Sequence, residues 1–211
     1  MMEKMQVEVA QLLLQINTIK VQPSNPFSWA SGWKAPIYCD NRKILSYPAA
    51  RSFIRDQFVQ VICQRYPEAE AIAGVATGAI AHGALVAGEL GLPFAYVRSE
   101  PKGHGLENLI EGDLKPGQKV VIIEDLVSTG SSSLKAVRAV RQIGSHVLGM
   151  VAIFTYDFPQ SAENFRKEGV ELITLSRYQV LIGQALASGK ITEEQLEKLM
   201  LWREDPANWG R

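Results

Sequence analysis

Apolar residues at Val7, Ala10, Leu13, Leu14 and Ile16 recur at helical spacing and predict an amphipathic helix near the start of the chain. A second helical pattern opens at Pro48, a residue suited to a first turn, and runs to about Arg65. Beyond it, short apolar runs alternate with helical ones. Strands are expected over 71–73, 94–97, 120–123, 147–154 and 171–175, and helices over 79–90, 132–143, 162–168 and 178–187. A last helix is expected over 192–201, opened by Thr192 as its cap. Such alternation predicts an α/β fold, with a central, mostly parallel sheet flanked by helices on both faces and ligands at the carboxyl ends of the strands.

Two segments break the alternation. Residues 23–47 are rich in Pro, Ser, Gly and aromatics, and residues 98–117 carry four glycines and two prolines. Both are long for connections in a compact domain, where functional loops are the usual reason for such length.

The 211 residues suit one domain spanning 1–211, with no repeat, linker or low-complexity stretch to divide it. Hydrophobic residues at 46% and charged residues at 21% describe a folded chain, not a disordered one. Lysine plus arginine (22) equals aspartate plus glutamate (22), and no block of one sign appears, so neither nucleic acid nor an anionic membrane is an expected partner. No apolar run approaches the ~20 residues of a membrane helix. Glu3, Lys4, Glu8, Gln11 and Gln15 interrupt any secretory apolar core, which makes the cytoplasm the expected location. Cys39 and Cys63 lack zinc-site spacing and are expected to be reduced thiols.

The most informative stretch is Val120-Val121-Ile122-Ile123-Glu124-Asp125-Leu126-Val127-Ser128-Thr129-Gly130-Ser131-Ser132-Ser133. The aliphatic run reads as a buried parallel strand, and the two acids at its end suit contact with hydroxyls. The Ser/Thr/Gly cluster opens a helix, where free N–H groups and the positive end of the dipole form an anion cradle. A blander reading makes Ser131 or Ser132 an ordinary helix cap and leaves the acids in solvent. No Walker loop and no G-x-G-x-x-G is present, which disfavours ATPases and Rossmann dehydrogenases.

The aliphatic run, acid pair and Ser/Thr-Thr-Gly-Ser together resemble the 5-phosphoribosyl 1-diphosphate (PRPP) motif of the type I phosphoribosyltransferases. That resemblance implies PRPP binding across 124–132: Glu124 and Asp125 on the ribose hydroxyls, Leu126 and Val127 within the motif, and Ser128, Thr129, Gly130, Ser131 and Ser132 around the 5-phosphate. Phe27-Ser28-Trp29-Ala30-Ser31-Gly32-Trp33-Lys34-Ala35-Pro36-Ile37-Tyr38-Cys39-Asp40-Asn41-Arg42 is similar to the N-terminal substrate segment of the orotate branch of that family. It implies a base-binding hood over about 1–47, with Phe27, Ser31, Gly32 and also Ser128 on orotate. Phe27 and Trp29 can cover a planar ring, whereas Trp33 and Tyr38 read as ordinary core.

Arg98-Ser99-Glu100-Pro101-Lys102-Gly103-His104-Gly105 resembles the family's mobile catalytic loop, which implies that Arg98, Lys102 and His104 close over the diphosphate. Ala76, Thr77 and Gly78 sit where the family binds diphosphate with main-chain amides. His82 and His146 read as structural. The chain departs from many members in carrying Ala30, Thr77 and Ser99 where lysines are common, and the 154–157 stretch lacks an arginine some members place near the pyrimidine.

The resemblance implies orotate phosphoribosyl transfer in pyrimidine synthesis, with Lys102, His104 and Asp125 as catalytic groups. It also implies magnesium carried mainly on PRPP with no direct protein ligand, and a homodimer that shares the mobile loop. Two alternatives stay open at this level: a purine phosphoribosyltransferase with the same phosphate motif, and a non-catalytic nucleotide-sensing regulator of the same fold.

Overall fold

The computed structural model describes residues 2–29, 32–100 and 109–209. Helix α1 (Met2–Gln15) buries Met5, Val9, Ala10, Leu13 and Leu14 on one face. The 23–47 region holds more order than its composition predicts. Strand β1 (Ile19–Val21) pairs antiparallel with β4 (Ile37–Cys39), and β2 (Phe27–Ser28) with β3 (Lys34–Ala35), before a 3-10 helix (Asn41–Ser46) leads into α2 (Pro48–Arg65). Pro48 occupies the first turn of α2, as the sequence predicts.

The alternating part runs β5 (Ala71–Val75), α3 (Ala79–Leu90), β6 (Phe94–Val97), β7 (Ile110–Glu111), β8 (Lys119–Val127) and α4 (Ser131–Gln142). It continues through β9 (His146–Thr155), α5 (Pro159–Glu168), β10 (Leu172–Arg177), α6 (Tyr178–Ala187) and α7 (Glu193–Glu204). These form one six-stranded sheet in the order β10-β9-β8-β5-β6-β7. All neighbours are parallel except β7, a short antiparallel edge within the 98–117 segment that composition alone predicts to be loop.

Strand order reverses between β5 and β8. From β5 the chain steps outward through α3 to β6, and from β8 it steps the other way through α4 to β9. Right-handed crossovers running in opposite directions place α3 and α4 on opposite faces and open a crevice where the two strands end. Val120, Val121, Ile122 and Ile123 are fully buried in β8, each contributing about 1.5–3 kcal/mol by leaving water. Their burial anchors β8 in the core and so fixes the position of Glu124 and Asp125.

At the C-terminal end, Thr192 caps α7 as predicted, in a capping box completed by Gln195. Trp202 of α7 is fully buried, and its Nε1 donates to the Lys34 carbonyl at 3.2 Å. The last helix therefore supports the β2–β3 hairpin.

Candidate active site

The loops after β5 and β8 meet in a cavity of about 320 Å3 lined by Cys39, Asp40, Arg42, Val75, Ala76, Thr77, Gly78, Glu124, Asp125, Leu126 and Ser132. The acids do not stand past the strand's end, as their sequence context predicts, but within β8. Main-chain pairing with β9 continues as far as Val127 opposite Thr155, so the strand persists through both. Successive strand residues face opposite ways. Glu124 takes a 2.8 Å hydrogen bond from the buried Ser133 hydroxyl of α4, while Asp125 lies against Gly78, where a Cβ would collide with its carboxylate.

Burial pushes the Glu124 carboxyl well above its ordinary range; the negative charge of Asp125 pushes further, and the Ser133 bond acts against both. Its second oxygen accepts the Asp125 N–H at 3.0 Å. Asp125 is also raised by burial, with partial relief from its bond to Glu124, from main-chain N–H groups and from the nearby Arg42. Two carboxyls held this way are primed to take hydrogen bonds from hydroxyls entering the cavity.

Of the residues expected around a phosphate, Ser128, Thr129 and Gly130 fall between β8 and α4, and Ser131 and Ser132 open α4. Gly130, not a serine, is the N-cap of α4, with φ +81°, and no side chain caps the helix. The ordinary-cap reading of Ser131 and Ser132 is thereby overturned: both sit in the first helical turn and its N–H groups are left to an incoming anion. A Cβ at Gly130 would come within 2.8 Å of the Phe165 ring, so two constraints require glycine there. Asn164 donates to the Thr129 carbonyl at 3.0 Å and steadies the loop from α5, a role with no sequence signal. Leu126 reaches the cavity, whereas the Val127 side chain is fully buried in the core.

On the β5 side, Gly78 caps α3 without a side-chain bond. The Ala76–Thr77 peptide is cis. Arg98 lies at the same sheet end, its Nη1 3.3 Å from Glu111 of β7. Lys102, His104 and Ser31 lie outside the described residues.

In the hairpin region Gly32 has φ +83°. The Phe27 ring packs on Tyr38, with centroids 5.5 Å apart. Tyr38 is 41% exposed, which corrects its reading as core: along β4 Ile37 turns inward and Tyr38 therefore outward. Trp29 goes the other way. It packs on Tyr156 and Trp202 and donates through Nε1 to the Ile37 carbonyl at 3.2 Å, so it braces the hairpin instead of covering a ligand. Trp33 packs against Phe158, as its core reading expects.

Asn41 joins the site without any signal in the sequence. It is 1% exposed, and its Nδ2 donates to the Asp125 carbonyl at 2.6 Å. The buried His82 ring approaches the Asn41 main chain, and burial lowers its pKa to about 4, which keeps it neutral. His146 is exposed at the start of β9.

The described residues contain no group of three or more His, Cys, Asp or Glu side chains able to hold a metal ion. Both cysteines are free. No helix among the described residues is long and apolar enough to cross a membrane.

An uncapped helix start and an acid pair at the switch point of a parallel sheet are the frame of a phosphoribosyltransferase, and the phosphoribosyl transferase domain family matches residues 47–180. The match covers the six-stranded sheet and the loops after β5 and β8. Over 202 residues the chain is 59% identical to an orotate phosphoribosyltransferase of Porphyromonas gingivalis, covering 96% of each sequence. The chain belongs to the orotate phosphoribosyltransferases. Its fold is similar to that of the Aeropyrum pernix orotate phosphoribosyltransferase, with TM-score 0.75 and 27% identity over 87% of this chain and 99% of that one. It also resembles Leishmania donovani UMP synthase, with TM-score 0.79 and 27% identity over 94% of this chain but 42% of that longer protein.

Proposed function

We propose that this chain transfers the ribose 5-phosphate group of PRPP to orotate, giving orotidine 5'-monophosphate and diphosphate, a step of pyrimidine synthesis. The observation that carries this reading is the buried Glu124 with the half-buried Asp125 beside it, a few residues ahead of an uncapped helix start. Ribose hydroxyls bond to the two carboxyls, and the 5-phosphate sits on the N–H groups that open α4, among Ser128, Thr129, Gly130, Ser131 and Ser132. Val127 contributes through its main chain. The diphosphate lies against Ala76, Thr77 and Gly78.

Breaking the anomeric bond ahead of attack puts positive charge on the ribose, so catalysis here is positioning plus electrostatic stabilisation. Asp125 supplies negative charge beside that centre. Arg98, Lys102 and His104 neutralise the departing diphosphate. The acid pair fits magnesium delivered on PRPP better than a protein-held ion, because both Glu124 oxygens are already hydrogen-bonded. When bound, that ion offsets charge on the diphosphate.

The base-binding hood lies within about 1–47, a stretch whose first helix, α1, packs on α6 and β10. Phe27, Gly32, Ser31 and Ser128 hold the base. The protein acts in the cytoplasm as a homodimer whose 98–105 loop serves the partner's site. Competition between orotate and uracil tests the base assignment: a site built for a carboxylate should favour orotate by ~100-fold or more, and equal efficiency would refute it.

A further inference from the structure

Arg42 lies in the first turn of the 3-10 helix, and it lines the acid-pair cavity beside Thr77, Gly78 and Asp125. Its Nε donates to Asp40 Oδ1 at 2.7 Å. The guanidinium and Asp125 act on each other: Asp125 strengthens the charge on Arg42, and Arg42 favours the ionised form of Asp125. The cavity wall carries three acidic side chains, those of Asp40, Glu124 and Asp125, and among the described lining residues Arg42 is the cationic side chain that faces them. A phosphate-rich substrate brings more negative charge to this wall, yet Thr77 and Gly78 on its β5 side are uncharged.

We propose that Arg42 is an oxyanion-binding residue that takes the diphosphate group of PRPP. Asp40 acts as a positioning residue, holding Nε so that the terminal Nη1 and Nη2 donors are presented as a fork. Planar forks of this kind match phosphate oxygens two at a time. The other oxyanion entering the site is the orotate carboxylate. Arg42 shares its wall with Ala76, Thr77 and Gly78, the segment on which the PRPP reading puts the diphosphate, and this assigns it to the diphosphate although Tyr38 also lies near its guanidinium. As a stabilising surface ion pair alone it would have little worth, since the Arg42 side chain is 58% exposed. Substitution therefore leaves the fold intact. The proposal rests on the PRPP reading of the cavity.

Steady-state kinetics of Arg42→Ala, Arg42→Lys and Asp40→Asn, with inorganic diphosphate as product inhibitor, test it. Arg42→Ala should raise KM for PRPP and Ki for diphosphate by ~10-fold or more, the effect of one lost charge-assisted bond, with KM for orotate unchanged. Arg42→Lys should recover part of the loss, and Asp40→Asn should move the same constants less. Unchanged constants in Arg42→Ala would overturn the proposal, as would a rise confined to KM for orotate. Calorimetric titration with magnesium and inorganic diphosphate separates this claim from the reading beneath it. Binding weakened in Arg42→Ala supports the oxyanion role even if orotate is not turned over, and equal binding in both proteins refutes it.

Discussion

Asn41 holds Asp125 by its main chain: across 84 residues of sequence, its side-chain amide donates to the Asp125 carbonyl at 2.6 Å. The 3-10 helix after β4 is thus tied to the main chain of the strand residue whose carboxyl lines the cavity. Asn41→Ala leaves that carbonyl unpaired, at a cost of about 1–3 kcal/mol. Thermal unfolding should show this loss, and turnover measured well below the new midpoint should fall as Asp125 loosens. Wild-type turnover with the expected destabilisation would make Asn41 structural only.

The raised Glu124 carboxyl links stability to pH with a definite sign. A folded-state pKa above the unfolded one means that the native protein binds the proton more tightly, so this stabilisation is full below the ordinary carboxyl value and is lost as pH rises through the folded value. Glu124→Gln keeps the shape without the charge. The variant should match the parent in acid, exceed it in unfolding free energy above the raised pKa, and yet lose at least ~10-fold in kcat/KM for PRPP. A variant less stable than its parent at alkaline pH would contradict the assigned direction.

Loop sharing predicts complementation. Lys102→Ala and Asp125→Asn damage opposite halves of a composite site, so each homodimer should be nearly inactive. Reassociated mixtures should regain up to about a quarter of wild-type activity, because half of the dimers recover one intact site. A mixture that stays inactive after confirmed subunit exchange would place the loop over its own subunit.

The legible parts of this protein are those with local signals. Alternating apolar runs mark the sheet and its helices, and Val120–Ile123 with two acids after it marks the site, because a buried parallel strand is nearly continuous in apolar residues. The strand's full length is hidden, since Glu124 and Asp125 look like loop residues until Ser133 and Asn41 supply their partners. Those partners come from other elements and carry no local pattern. The cap at Gly130 is hidden for a related reason: serines usually cap, and only the close Phe165 ring and the positive φ show why glycine stands there. Tyr38 looks like core because a strand of three residues is too short to display its alternation.

The central claim is that the Glu124–Asp125 pair and the open start of α4 hold PRPP for transfer to orotate. Its most direct measurement is the loss of orotate absorbance when purified protein meets PRPP and magnesium, with diphosphate counted in parallel and the Asp125→Asn variant run beside it. The account predicts one diphosphate per orotate consumed and a rate at least ~10-fold lower in the variant. Orotate left untouched while adenine or hypoxanthine is consumed, or equal rates in the two proteins, would contradict it.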